Sequence, residues 1–317
     1  MAEQTDYSDV HTFLQLFVSC TNLNATEAQA LSEKVRRNSA DLESRLRLLI
    51  YSEMAHELND GAIHMLWIIE NAPRTVLSLL SSIYTFGSVE VRQKIDAAWH
   101  TQLALHPNDY LVLRNAVYFF QFENITLAVE LLDKAIAICP ADDYTMRHLG
   151  QLAGDISPSR SLKIYETVLA HSENDKKKLA SLIDVANSAL HAEVYDRSAD
   201  AATTTLAMAE SVKGTSDYGR AIHYGNMVLC KVALKSDDTV AAESYFIAAS
   251  KTTGSPDLNS FGPDFSLCEI FLGQGKRELV KTYLTNCSSF WKKQIIDQWL
   301  VEIEAGVVPR FNESWRY

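Results

Sequence analysis

In the stretch 218–230, YGRAIHYGNMVLC, a histidine, an asparagine and a cysteine stand at 223, 226 and 230. Steps of three and four residues place them on one stripe of a helix. An imidazole and a thiol on one stripe suggest a metal site or a Cys–His nucleophile pair. Neither fits the spacing. His223 and Cys230 are about 10 Å apart along a straight helix. Zinc takes its ligands at about 2.0–2.3 Å, and a nucleophile and its base need contact at about 3 Å. Two readings remain for His223 and Asn226: a pair satisfied inside the core, or a polar lining of a binding surface. Cys230 reads as a small hydrophobe.

The helix that carries them is apolar on most sides. On a wheel of about 100° per residue, Ala221, Gly225, Val228, Leu229 and Val232 share one face. His223, Asn226, Cys230 and Leu234 share the opposite one. Arg220, Tyr224 and Lys231 leave only a narrow polar strip, so the helix is expected to be enclosed by neighbours. Gly225 costs about 1 kcal/mol against alanine in a helix, which points to a close helix approach.

Those neighbours come from a repeat. HPND at 106–109, CPAD at 139–142 and SEND at 172–175 recur at a spacing of 33 residues. Between the first two strings lie helical patterns over 110–122 and 125–138, and Pro107 and Pro140 stop the helices before them. Ala116, Ala128, Leu132, Ala135 and Pro140 fill the small, small, large, small and proline slots that make this unit resemble a tetratricopeptide repeat. A shift of 33 gives the degenerate set Leu149, Ser161, Tyr165, Val168 and Glu173. Looser copies place Ile50, Ala62, Leu66 and Ile69, then Cys230, Ala242, Phe246 and Ala249, then Cys268, Val280, Leu284 and Cys287 in the same slots. The chain also resembles a bacterial family of tetratricopeptide-like proteins through HMLWIIENAP (64–73), RNAVYFF (114–120), RAIHYGNMVL (220–229), LNSFGPDFSL (258–267) and EAGVVPRF (304–311). That resemblance implies a helical array and no particular activity.

The expected fold is therefore all-α, a right-handed α-solenoid of antiparallel helix pairs built from degenerate tetratricopeptide-like repeats. Residues 1–90 read as an N-terminal helical repeat region, 91–292 as the array, and 293–317 as a capping helix and tail. Ile296, Leu300 and Ile303 supply the cap's apolar face, Gly306 ends it, and Phe311, Trp315 and Tyr317 follow. Residues 251–266, punctuated by Gly254, Pro256, Gly262 and Pro263, read as a long loop packed over the end of a groove, with Asn259 turned back on the loop backbone.

In tetratricopeptide arrays, first helices line a concave groove, and the slot two residues before the small position points into it. Here that slot holds Arg114 and, one repeat on, Arg147. Paired guanidinium groups suit a carboxylate or phosphate. Arg114, Asn115, Arg147, His148 and Lys231 are thus candidate contacts for an acidic or C-terminal peptide group, with His223, Asn226 and Asn259 as further candidates. The competing expectation is that the two arginines pair with Asp143 or Glu123.

Composition narrows the function further. The chain has 317 residues and a formal charge of −11, so nucleic acid is a poor partner. No apolar run is long enough for a membrane helix. Five cysteines without paired spacing, and an acidic start without a signal-peptide pattern, point to the cytoplasm and a reducing setting. No phosphate-cradling glycine loop, HExxH or nucleophile elbow is present, and His56 and His64 are too far apart for a metal pair on one helical turn. The leading expectation is a scaffold binding a protein or peptide in its groove, without catalysis, metal or cofactor. The alternatives are an enzyme or small-molecule-binding protein using His223, Asn226 and the 251–266 loop, and a subunit of a homo-oligomer.

Overall fold

The computed structural model describes residues 5–77, 80, 88–140 and 142–311. Among the described residues there are seventeen α-helices and no strand. The chain divides into two compact units, Met1–Ile156 and Ser157–Tyr317.

The first unit holds α1 (Val10–Cys20), α2 (Ala25–Arg37), α3 (Leu42–Ala55), α4 (Leu58–Asn71), α5 (Val89–Leu105), α6 (Tyr110–Glu123), α7 (Ile125–Ile138) and α8 (Asp143–Ile156). Short polar links start these helices. Asn24 and Glu27 form a reciprocal capping box at α2. Asp109 caps α6, accepting from the Leu111 and Val112 amides at 3.0 and 3.2 Å. Asn124 alone joins α6 to α7 and caps the latter, so the two run antiparallel and pack along their length. Ala116, Ala128 and Ala135 are fully buried between them. Small side chains let the helix axes approach, and each neighbour covers the apolar stripe the other cannot bury alone.

The second unit holds α9 (Pro158–Ala170), α10 (Asp175–His191), α11 (Tyr195–Ala209), α12 (Ser216–Lys235), α13 (Thr239–Ser250), α14 (Pro256–Phe261), α15 (Cys268–Gly273), α16 (Arg277–Cys287) and α17 (Lys293–Glu304). α12 contacts α10, α11, α13 and α14, which accounts for its nearly uniform apolarity. The repeat slots Cys230, Ala242, Phe246, Ala249, Cys268, Val280, Leu284 and Cys287 are all fully buried. The cap residues Ile296, Trp299 and Ile303 are buried, and Phe311 packs back on Trp299 with ring centroids 5.1 Å apart. Leu300 is only partly buried and Ile295 takes a place on that face. Trp315 and Tyr317 lie outside the described residues. The 251–266 stretch is not wholly a loop, since Ser255 caps the short helix α14 through the Leu258 amide. Proline at the first position of that helix costs nothing, because its missing amide has no intrahelical partner there.

Candidate functional site

On the first unit, α6 and α8 carry a continuous polar and aromatic face. Tyr110, Arg114, Tyr118 and Gln121 fall at helical spacing along α6. Tyr144 and His148 face them from α8. The Tyr118 and Tyr144 hydroxyls are 2.8 Å apart. His148 Nε2 donates to Gln121 Oε1 at 2.9 Å, since a carbonyl oxygen can only accept. His148 Nδ1 is then an acceptor, buried and without a partner among the described residues. Burial lowers the His148 pKa, so the neutral ring is favoured.

At the N-terminal end of this face the Tyr110 hydroxyl donates to Asp142, which also accepts from Thr145. Burial alone would raise the Asp142 carboxyl. The hydrogen bonds from Thr145 and Tyr110, with the charge of Arg114, outweigh it and hold the carboxyl below its usual range. Arg114 lies over the Tyr110 ring, 5.5 Å from the centroid, and its Nε is buried with no acceptor among the described residues. Arg147 pairs with Asp143 at 3.1 Å, the competing expectation for that residue. Glu123 instead pairs with Arg92. Asn115 is turned inward, only 1% exposed, and donates to the Pro73 and Thr75 carbonyls. It ties the chain after α4 to α6 and offers no free donor.

In the second unit His223 is fully buried. Its Nε2 accepts from the Asp264 amide at 2.9 Å, so Nδ1 carries the proton and donates to the Ala249 carbonyl at 3.0 Å. Both partners are backbone atoms, which settles the tautomer. Burial lowers the His223 pKa, against the pull of the Ala249 carbonyl. Asn226 donates to Ile222 in its own helix at 2.8 Å, and Cys230 donates to the Ala242 carbonyl at 3.1 Å. Lys231 pairs with Asp264 at 2.7 Å and Arg220 with Asp257 at 3.5 Å. Asn259 is exposed at the surface of α14. The structure therefore joins His223 and Lys231 to the 251–266 segment through Asp264, whereas Arg114 lies against Tyr110, His148 against Gln121, Tyr118 and Tyr144, and Arg147 on Asp143. No group of three or more His, Cys, Asp or Glu among the described residues is placed to hold a metal ion, and none of their helices is long and apolar enough to cross a membrane.

Among solved structures, the chain is similar to that of yeast Tom70, with a TM-score of 0.50 and 14% identity over 96% of this chain and 66% of that one. The fold is tetratricopeptide-like. This chain spans just under two thirds of the Tom70 chain, and identity this low speaks to the fold alone. No family model matches the chain, and no curated protein matches it. The resemblance to a bacterial family stays an expectation from its short strings.

The sequence named Arg114, Arg147 and His148 as candidates but not the tyrosines that lie against Arg114 and His148. Tyr110, Tyr118 and Tyr144 carried a signal, since tyrosines at helical spacing with an arginine flag a face neither wholly buried nor wholly wet.

Proposed function

We propose that the chain is a helical-repeat scaffold whose α6–α8 face binds a protein partner through an acidic or C-terminal peptide group. The tetratricopeptide-like fold supports a protein-interaction role. The observation that carries the finer reading is Arg114, a guanidinium framed by Tyr110 with a buried Nε that has no acceptor among the described residues. A peptide carboxylate would supply that acceptor, and the rings of Tyr110, Tyr118 and Tyr144 would cover its apolar stem. Arg147 can join by exchanging Asp143 for the ligand, because a partly exposed pair of this kind is worth only about 0.3–0.5 kcal/mol. His148, neutral and held by Gln121, contributes a hydrogen bond rather than charge. Lys231 and His223 are both engaged by Asp264 of the 251–266 segment.

The test is an array of acidic peptides, each with a free or amidated C-terminus. Wild-type protein should retain a subset, and Arg114→Ala should weaken that subset about tenfold or more, the worth of a charged hydrogen bond. Equal retention by the wild type and Arg114→Ala would end this reading.

A further inference from the structure

A cleft on the first unit is lined by none of the α6–α8 residues. It opens between α2 and α4 with α3 as its floor and holds about 660 Å³, a volume suited to a small ligand or a short peptide end. Arg45 stands on that floor, 8% exposed. Its guanidinium lies on the Trp67 ring, 4.3 Å from the centroid, and its Nε donates to the Ser39 carbonyl at 3.0 Å. Stacking covers one face and Ser39 takes the Nε side. The edge formed by the two Nη atoms has no acceptor among the described residues. Asp41 attracts Arg45 only from beyond ion-pair distance, and its carboxylate is occupied by Ser44.

Beside it, His64 lines the same cleft, and its buried Nδ1 has no partner among the described residues. Burial, reinforced by the nearby Arg45 charge, lowers its pKa to about 4, so the ring is neutral and carries one N–H to donate. Glu57 and Asp60 also line the cleft, but both are exposed, and water screens them. The buried charge is Arg45, and a buried guanidinium with no ion pair among the described residues is the group with most to gain from a ligand.

We propose that this cleft binds a carboxylate carried on an apolar body. Two parallel hydrogen bonds from the Arg45 Nη atoms and one from the His64 ring hold the carboxylate. Val35, Leu48 and Tyr51, which line the walls, receive the apolar part.

Calorimetric titration of the full chain tests this with two probes, 3-phenylpropionate and an N-acetylated tripeptide ending in phenylalanine, each compared with its amide. At least one acid should bind, with its amide weaker by about tenfold or more. Which acid binds distinguishes a small organic acid from a peptide terminus. Arg45→Lys keeps the charge but loses the paired planar donors, and should weaken the acid about tenfold. Should that variant fail to fold by circular dichroism, His64→Phe, at a half-buried position, removes the other donor and should weaken the acid several-fold. Absence of binding by both acids at millimolar concentration overturns the proposal. So does an amide that binds as tightly as its acid, or a folded variant of either kind that retains wild-type affinity.

Discussion

His223 has no spare hydrogen-bonding capacity: one nitrogen takes the Asp264 amide and the other gives to Ala249. Replacing it with alanine orphans two backbone groups and opens a cavity, so His223→Ala should cost about 2–4 kcal/mol in urea unfolding. The pKa of His223 is lowered in the fold, as are those of His64 and His148. Below the unfolded histidine value of about 6.5 the unfolded chain binds more protons than the native one. The stability these rings contribute is present above that pH and is lost as pH falls through their folded values, for His64 down to about 4. Urea midpoints measured from pH 7.5 to pH 4.5 should therefore decline, and the decline should be shallower in His223→Ala. A midpoint that rises on acidification would contradict the neutral, buried assignment.

Helix α12 shows how an element's neighbours decide what its residues can tolerate. A Cβ on Gly225 would meet the Leu206 side chain at 2.9 Å, whereas one on Gly219 would stand 1.9 Å from the Gly254 carbonyl oxygen. A leucine tip can turn aside; a backbone carbonyl cannot. Gly225→Ala should stay within about 1 kcal/mol of wild type, because the helix-propensity gain offsets the displacement. Gly219→Ala should lose about 3 kcal/mol or more. Comparing the two by thermal unfolding separates close packing from flexibility. The close approach at Gly225 was readable from a glycine in the middle of an apolar helix. The tighter one at Gly219 was not, because Gly254 comes from a segment 35 residues on in the chain. The same segment puts Asp257 and Asp264 opposite Arg220 and Lys231, so the polar strip of α12 is a dock for α14 and the turn after it.

Over the whole molecule, the cysteines report on the packing. Cys20, Cys230, Cys268 and Cys287 are buried, and Cys139 is partly exposed. Burial pushes the Cys230 and Cys287 thiols up to about 12, so their reactive thiolates are scarce at neutral pH. A thiol reagent should modify Cys139 quickly in the native protein and the other four only on unfolding. Rapid native modification of Cys268 or Cys287 would mean that the aromatic core around Phe246, Tyr283 and Trp299 is open.

The helices, their pairing and the buried slots were legible because each rests on local periodicity. An apolar stripe, an alanine or cysteine every repeat, and an Asp or Asn cap state within a few residues which face is inside and where a helix begins. Ala116, Ala128 and Cys230 needed no partner to be named in order to be placed. Polar side chains are different, because their state depends on atoms far along the chain. His223 is settled by the Asp264 amide, Asn115 by two carbonyls beyond α4, and Arg45 by the ring of Trp67 and the Ser39 carbonyl. A donor looks the same in the sequence whether it is satisfied or waiting for a ligand, so only the packing of distant segments decides between structure and binding.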